Sequence, residues 1–101
     1  MARPIKLKEE LVKAALAKLP AWAMRRGKLH RDYTFDDFVT AFGFMASAAL
    51  IAQRMNHHPE WFNVWNRVRV DLTTHDAKGV SALDVKLAHA MEALASRLPQ
   101  K

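Results

Sequence analysis

Histidine is the side chain that both accepts and donates a proton near neutral pH, and this sequence holds five. Three of them stand where rigid elements are expected to end. His57 and His58 lie in Asn56-His57-His58-Pro59, and His75 lies in Thr73-Thr74-His75-Asp76. Such ends present side chains into clefts. Three histidines could ligate zinc, but adjacent residues point in different directions, and the His-His-Pro spacing is poor for that. They could also serve only to cap carbonyls and fill the surface. General acid–base chemistry fits them better. His57 falls at a helix C-terminus, where the dipole favours imidazolium, which suits an acid. His75 has Asp76 beside it and Asp84 further on; either carboxylate could take a ring N–H and fix the tautomer. His30 and His89 read as isolated, with His89 facing solvent.

Other chemistries are weaker. No Ser, Cys or Lys stands out as an activated nucleophile. With only three glycines in the chain, a glycine-rich phosphate cradle is not expected. Histidines and carboxylates near Trp22 and Trp61 would suit a flat, polar, aromatic substrate and proton transfer without a cofactor or metal. Stacking on Trp61 or Trp65 is one option; covering a sheet face or an interface is the other.

The 101 residues read as one domain spanning 1–101. Half are hydrophobic and 26% are charged, a globular composition. The absence of cysteine excludes a disulfide scaffold, a zinc ribbon and a cysteine nucleophile. No apolar run is read as reaching the ~18–20 residues of a membrane span, and the N-terminal residues lack an apolar signal core. A cytoplasmic protein without membrane contact is expected. The net charge is +6, from 16 Lys and Arg against 10 Asp and Glu. The densest cluster is Arg25, Arg26, Lys28 and Arg31. No nucleic-acid-binding motif accompanies it, so the charge reads as solubility and attraction for anions, and no nucleic-acid partner is expected.

Seven elements must position the histidines. Apolar residues at spacings of three and four predict a helix over 7–18, with Leu7, Leu11 and Leu16 on its stripe, stopped by Pro20. Two short strands are expected at 22–24 and 29–33, joined by Arg26-Gly27-Lys28. Thr34 is the expected N-cap of a long helix reaching Met55, with Phe35, Phe38 and Phe42 as core. That helix is apolar over more than half its circumference, which predicts burial on two sides. Residues 61–74 alternate, with Phe62, Val64, Val68, Val70 and Leu72 as the apolar series, and read as two strands meeting near Trp65-Asn66. After a loop over 75–80, Ser81 caps a last helix, with Asp84 at its third position and Leu83, Leu87, Ala90, Met91, Leu94 and Leu98 inward. The order α-β-β-α-β-β-α, with tight strand connections, predicts an α+β two-layer sandwich: a four-stranded antiparallel sheet with three helices on one face.

These residues resemble the pterin-4a-carbinolamine dehydratase family. The likeness is carried by Ala41-Phe42-Gly43-Phe44-Met45, by Asn56-His57-His58-Pro59-Glu60-Trp61-Phe62-Asn63-Val64, and by Leu72-Thr73-Thr74-His75-Asp76 followed by Ser81 and Asp84. It runs from about Trp22 to Leu94. The resemblance implies dehydration of 4a-hydroxytetrahydropterin to quinonoid dihydropterin, without metal or organic cofactor, in recycling the pterin used by aromatic amino acid hydroxylases. It implies His57, His58 and His75 as the active-site histidines, and Pro59, Thr74, Asp76 and Ala77 as supporting or pterin-contacting residues. Asp84 would lie near His75, and Trp22 at the pocket edge. A homodimer or homotetramer is implied, built through strand edges and the central helix. Three positions depart from the family: Trp65 for a common Tyr, Lys78 for a frequent Gly, and Asn56 for an occasional Asp. Some animal members also act as dimerisation cofactors of a homeodomain transcription factor, which gives an alternative role as a protein-binding module working through the central helix.

Overall fold

The computed structural model describes residues 3–101. Its elements are α1 (Glu9–Ala17), β1 (Ala23–Arg25), β2 (Lys28–Thr34), α2 (Phe38–Met55), β3 (Glu60–Val64), β4 (Arg67–Leu72), a short 3-10 turn (His75–Ala77) and α3 (Ala82–Ala95). The four strands form one antiparallel sheet in the order β1-β2-β4-β3. The α+β architecture is therefore the expected one.

The core lies between one sheet face and the helices. Leu29, Tyr33, Val68, Val70 and Leu72 from the sheet meet Phe44, Ala48 and Ala52 of α2 and Leu87, Ala88 and Met91 of α3. The small side chains of α2 let it approach closely, and the burial of large apolar groups drives the packing. Glu92 ties α3 to the sheet: one carboxylate oxygen accepts from Trp22 Nε1 at 2.8 Å, Arg31 Nε at 2.8 Å and the Tyr33 hydroxyl at 2.7 Å. Burial works to raise the Glu92 pKa, but these three donors outweigh it and hold the group below the ordinary carboxylate range.

Several local expectations are corrected. The cap of α2 is Asp37, whose side chain accepts from Thr40 N at 2.7 Å, and not Thr34, which ends β2. Phe35 precedes the helix and is fully buried, pairing as an isolated bridge with Gln100. Phe38 and Phe42 are not core but largely exposed, touching each other on the outer side of α2. Leu11 is exposed and Val12 is buried in its place, while Leu7 and Leu16 pack against the core as expected. Leu98 lies beyond the end of α3.

The apolar series of 61–74 also changes face. The two-residue turn at Trp65-Asn66 pairs Val64 with Arg67 and Phe62 with Arg69. Paired residues share a face, so Phe62 and Val64 join the arginines on the open side, and half-buried Trp61 faces the core opposite Val70. Trp65 adopts φ 48° in the turn and is exposed.

The 18 residues of α2, with mean hydropathy 1.3, are long and apolar enough by length and composition to cross a membrane, contrary to the reading of the sequence. In the fold one stripe of α2, Ala41, Phe44, Ala48 and Ala52, is buried against the protein's own core.

Candidate active site

Three chain segments meet at one end of the sheet: the C-terminus of α2, the end of β4 and the start of α3. Asn56 closes α2 in the left-handed conformation (φ 51°, ψ 42°), which Asn tolerates better than most residues. The turn lets His57 N–H donate to the Ala52 carbonyl at 3.0 Å. His57 is thereby sent inward and is buried, whereas the next residue, His58, is exposed.

His57 Nε2 lies 2.5 Å from Asp84 Oδ1. A carboxylate only accepts, so Nε2 carries the proton and donates it to Asp84, leaving Nδ1 uncommitted. Asp84 is fully buried and accepts three hydrogen bonds at once. Its other oxygen accepts from Thr74 Oγ1 at 2.7 Å and from Ser81 N at 2.9 Å. Ser81 Oγ–H donates onward to Thr74 Oγ1 at 2.7 Å. The Ser81–Asp84 pair is a capping box that starts α3. The carboxylate that begins the helix is thus the one that orients the histidine. Buried carboxylates need donors of this kind.

His75 opens the 3-10 turn and stands in solvent, 83% exposed at its side chain, with Nε2 3.3 Å from Glu60 Oε2. Lys28 Nζ donates to the other oxygen of Glu60 at 2.5 Å. This hydrogen bond first, and the charges of Lys28 and His75 with it, outweigh the small opposing effect of burial and hold the Glu60 carboxyl below its ordinary range. His58 Nε2–H donates to Gln53 Oε1 at 2.9 Å.

A hollow of about 390 Å³ is lined by His57, His58, Thr74, His75 and Asp76, with Asn56 at its wall. The structure therefore brings His57, His58, His75, Thr74 and Asp76 together. Two partner expectations are corrected. Asp84 lies on His57 rather than His75, because its carboxylate is held at the buried start of α3. The partner of His75 is Glu60; Asp76 is exposed and forms no ion pair with His75 among the described residues. Trp22 is not at the pocket edge: it is buried in the core, donating to Glu92. Pro59 and Ala77 are half-buried and do not line the hollow; Ala77 N–H donates to the Thr74 carbonyl at 3.0 Å. His30, read as isolated, lies between Asp71 and Asp32 at 2.8 and 2.9 Å.

Glu60, which contacts His75, is not singled out by the sequence reading. Its signal lay in the hairpin register: a turn centred on Trp65-Asn66 places Glu60 opposite Asp71, at the same end of the sheet as His75. Among the described residues no cluster of His, Cys, Asp or Glu has metal-holding geometry.

The sequence profile described as "Pterin 4 alpha carbinolamine dehydratase" matches residues 5–94. A protein of Solibacter usitatus named "Putative pterin-4-alpha-carbinolamine dehydratase" is 57% identical over 91 residues, covering 90% of this chain and 96% of its own. A protein of the same name from Rhodopseudomonas palustris is 52% identical over 95 residues, covering 92% of this chain and 94% of its own. The crystal structure of a "transcriptional coactivator/pterin dehydratase" from Brucella melitensis superposes with a TM-score of 0.86 at 49% identity, over 89% of this chain and 98% of that one. With the profile spanning most of the chain and relatives at this identity along nearly their whole length, the chain belongs to the pterin-4-alpha-carbinolamine dehydratase family.

Proposed function

We propose that this protein dehydrates a 4a-hydroxytetrahydropterin to the quinonoid dihydropterin, returning pterin oxidised by aromatic amino acid hydroxylases to a recyclable form in the cytoplasm. The observation that carries the chemistry is His57, whose Nε2–H is held by the buried Asp84 while Nδ1 stays uncommitted at a hollow shared with His58 and His75.

The reaction removes the N5 proton and the C4a hydroxyl. His57 Nδ1 accepts the N5 proton, and the N–H electron pair forms the N5=C4a double bond. The C4a–O bond breaks as the hydroxyl leaves with a proton from a second histidine, so one water is released. Asp84 stabilises the imidazolium formed on His57. This makes His57 the base, where the helix-end argument alone favoured an acid. His75, resting on the Glu60 carboxylate, is the acid, and His58 assists. The two proton transfers restore the pair when His57 passes its proton back through solvent. Pro59, Thr74, Asp76 and Ala77 support the histidines or the pterin ring. No step requires a metal or organic cofactor.

The outer face of α2 favours self-association as well. Val39 is 78%, Phe42 57% and Leu50 72% exposed, an apolar stripe of the kind that subunit contacts cover. A homodimer or homotetramer through α2 and a sheet edge is the assembly we assign to it. A protein-binding role through the same helix is the second reading. It predicts that substitutions on the α2 stripe matter and that those of the histidines do not.

The direct test follows loss of freshly generated 4a-hydroxytetrahydropterin by absorbance, with wild type, His57→Ala and His75→Ala. Acceleration above the solvent rate, reduced roughly 10²-fold or more by either substitution, is expected for loss of a general acid or base. A folded wild type that leaves the solvent rate unchanged would reject the enzyme reading.

A further inference from the structure

Thr73 and His75 border a second hollow besides the one described above. It measures about 380 Å³, and its remaining walls include Arg26, Lys28 and Lys78. Arg26 comes from the β1–β2 turn, Lys28 from the start of β2, and Lys78 from the end of the 3-10 turn. Three cations from separate segments thus converge beside the histidine that the proposed reaction uses as acid, and no carboxylate lines this hollow among the described residues. Lys28 is paired with Glu60. Arg26 and Lys78 have no ion-pair partner among the described residues.

The backbone at these two positions adds a second observation. Arg26 has φ 54° and Lys78 has φ 59°. This left-handed region is the one glycine enters without steric penalty. Both turns bordering the hollow instead place a long cationic side chain there. Gly79, next to Lys78, is hemmed in by the aliphatic stem of Lys6, which an added Cβ would meet at 2.9 Å. The loop carrying Lys78 is therefore closed down against the N-terminal segment, and Leu7 N–H fastens it further by donating to the Val80 carbonyl at 2.8 Å.

We propose that this second hollow receives an anionic side chain of the substrate, so that the preferred substrate is a 4a-hydroxytetrahydropterin bearing a phosphate or carboxylate on its side chain. The inference rests on the dehydratase reading and specifies its substrate class. The two hollows share His75 and Thr73, so one molecule with its ring in the first reaches the second with its substituent. The cations are at the surface, so the attraction is modest and weakens with salt.

The test compares three 4a-hydroxytetrahydropterins: one with a neutral hydroxylated side chain, its phosphate ester, and a carboxylate-bearing counterpart. At low ionic strength an anionic substrate is expected to show kcat/KM about tenfold above the neutral one, carried by KM, as the sum of a few weak ion contacts. Whichever anion is favoured identifies the group. The ratio is expected to fall towards one in Arg26→Gln/Lys78→Gln and at about 0.5 M salt, where the screening length shrinks to a few ångströms. Arg97→Gln, remote from both hollows, is expected to leave the ratio in place. Equal kcat/KM for all three substrates, or an equal fall in Arg97→Gln, would overturn the proposal. Should no substrate be turned over, the dehydratase reading fails by itself. Equilibrium binding of the stable 7,8-dihydropterins with the same side chains then decides the subsite: tighter binding of the anionic forms, lost in the double variant, upholds it, and equal binding rejects it.

Discussion

His57 and His30 both lie against aspartates at hydrogen-bonding distance, 2.5 Å for His57 to Asp84 and 2.8 Å for His30 to Asp71. Their surroundings give them opposite uses. His57 has one nitrogen committed and one uncommitted at a hollow. His30 has both nitrogens occupied, Nδ1 on Asp71 and Nε2 on Asp32, with Arg25 also within 3.3 Å of Nε2. Only an imidazolium donates to both aspartates at once. Burial opposes that charge on His30, but the bonds to Asp71 and Asp32 and their charges outweigh it and raise its pKa above the ordinary histidine value. In the proposed reaction it is the nitrogen left unused by the fold that makes His57 the base.

The largest test of this contrast is Asp84→Ala. It strips the acceptor from His57, Thr74 and Ser81 N together and removes one half of the capping box of α3. A loss of roughly 2–4 kcal/mol in urea unfolding is expected, with loss of dehydration. Asp84→Asn, which keeps the shape, should retain more stability than Asp84→Ala yet still lose turnover, because the amide no longer stabilises the imidazolium. If Asp84→Asn kept wild-type turnover, the carboxylate would not be what readies His57.

A smaller effect is expected at His30. His30→Ala should cost about 1 kcal/mol, the scale of a net hydrogen bond, and leave dehydration of a neutral pterin intact. Its pH dependence has a definite sign. The folded pKa of His30 is raised, so its contribution is full below the unfolded value of about 6.5. It is lost as pH rises through the higher folded value. Wild type minus His30→Ala stability, followed by denaturation from pH 5 to 9, should shrink with rising pH. A difference that grows instead would mean that His30 is neutral in the fold.

The sequence carried the frame of the molecule well. Element order, the Trp65-Asn66 turn, the Ser81 cap with Asp84, and the clustering of His57, His58 and His75 were all legible, because each rests on local signals. What failed was phase and partnership. A two-residue turn decides which face Phe62 and Val64 join, and one residue either way reverses the answer. The exposed Phe38 and Phe42 read as core because hydrophobicity does not say whether a face is covered by the same chain or another. Asp76 and Asp84 both read as candidate partners of His75 because sequence proximity stands in poorly for distance: Asp84 lies 27 positions from the histidine it holds. Glu60 and Lys28 reach the site only through strand pairing across β4.

Asp84 also bears on how this family member would drift under selection. Because one carboxylate helps start a helix and, in the proposed reaction, also readies a base, selection for folding alone would retain it long after selection for turnover had ceased. His75, exposed and outside the core, would be free to change. In a library of variants screened only for solubility, position 84 should therefore stay nearly fixed while position 75 scatters. Restoring a demand for turnover would then need few changes, since the most costly part of the apparatus would have been kept by the fold itself.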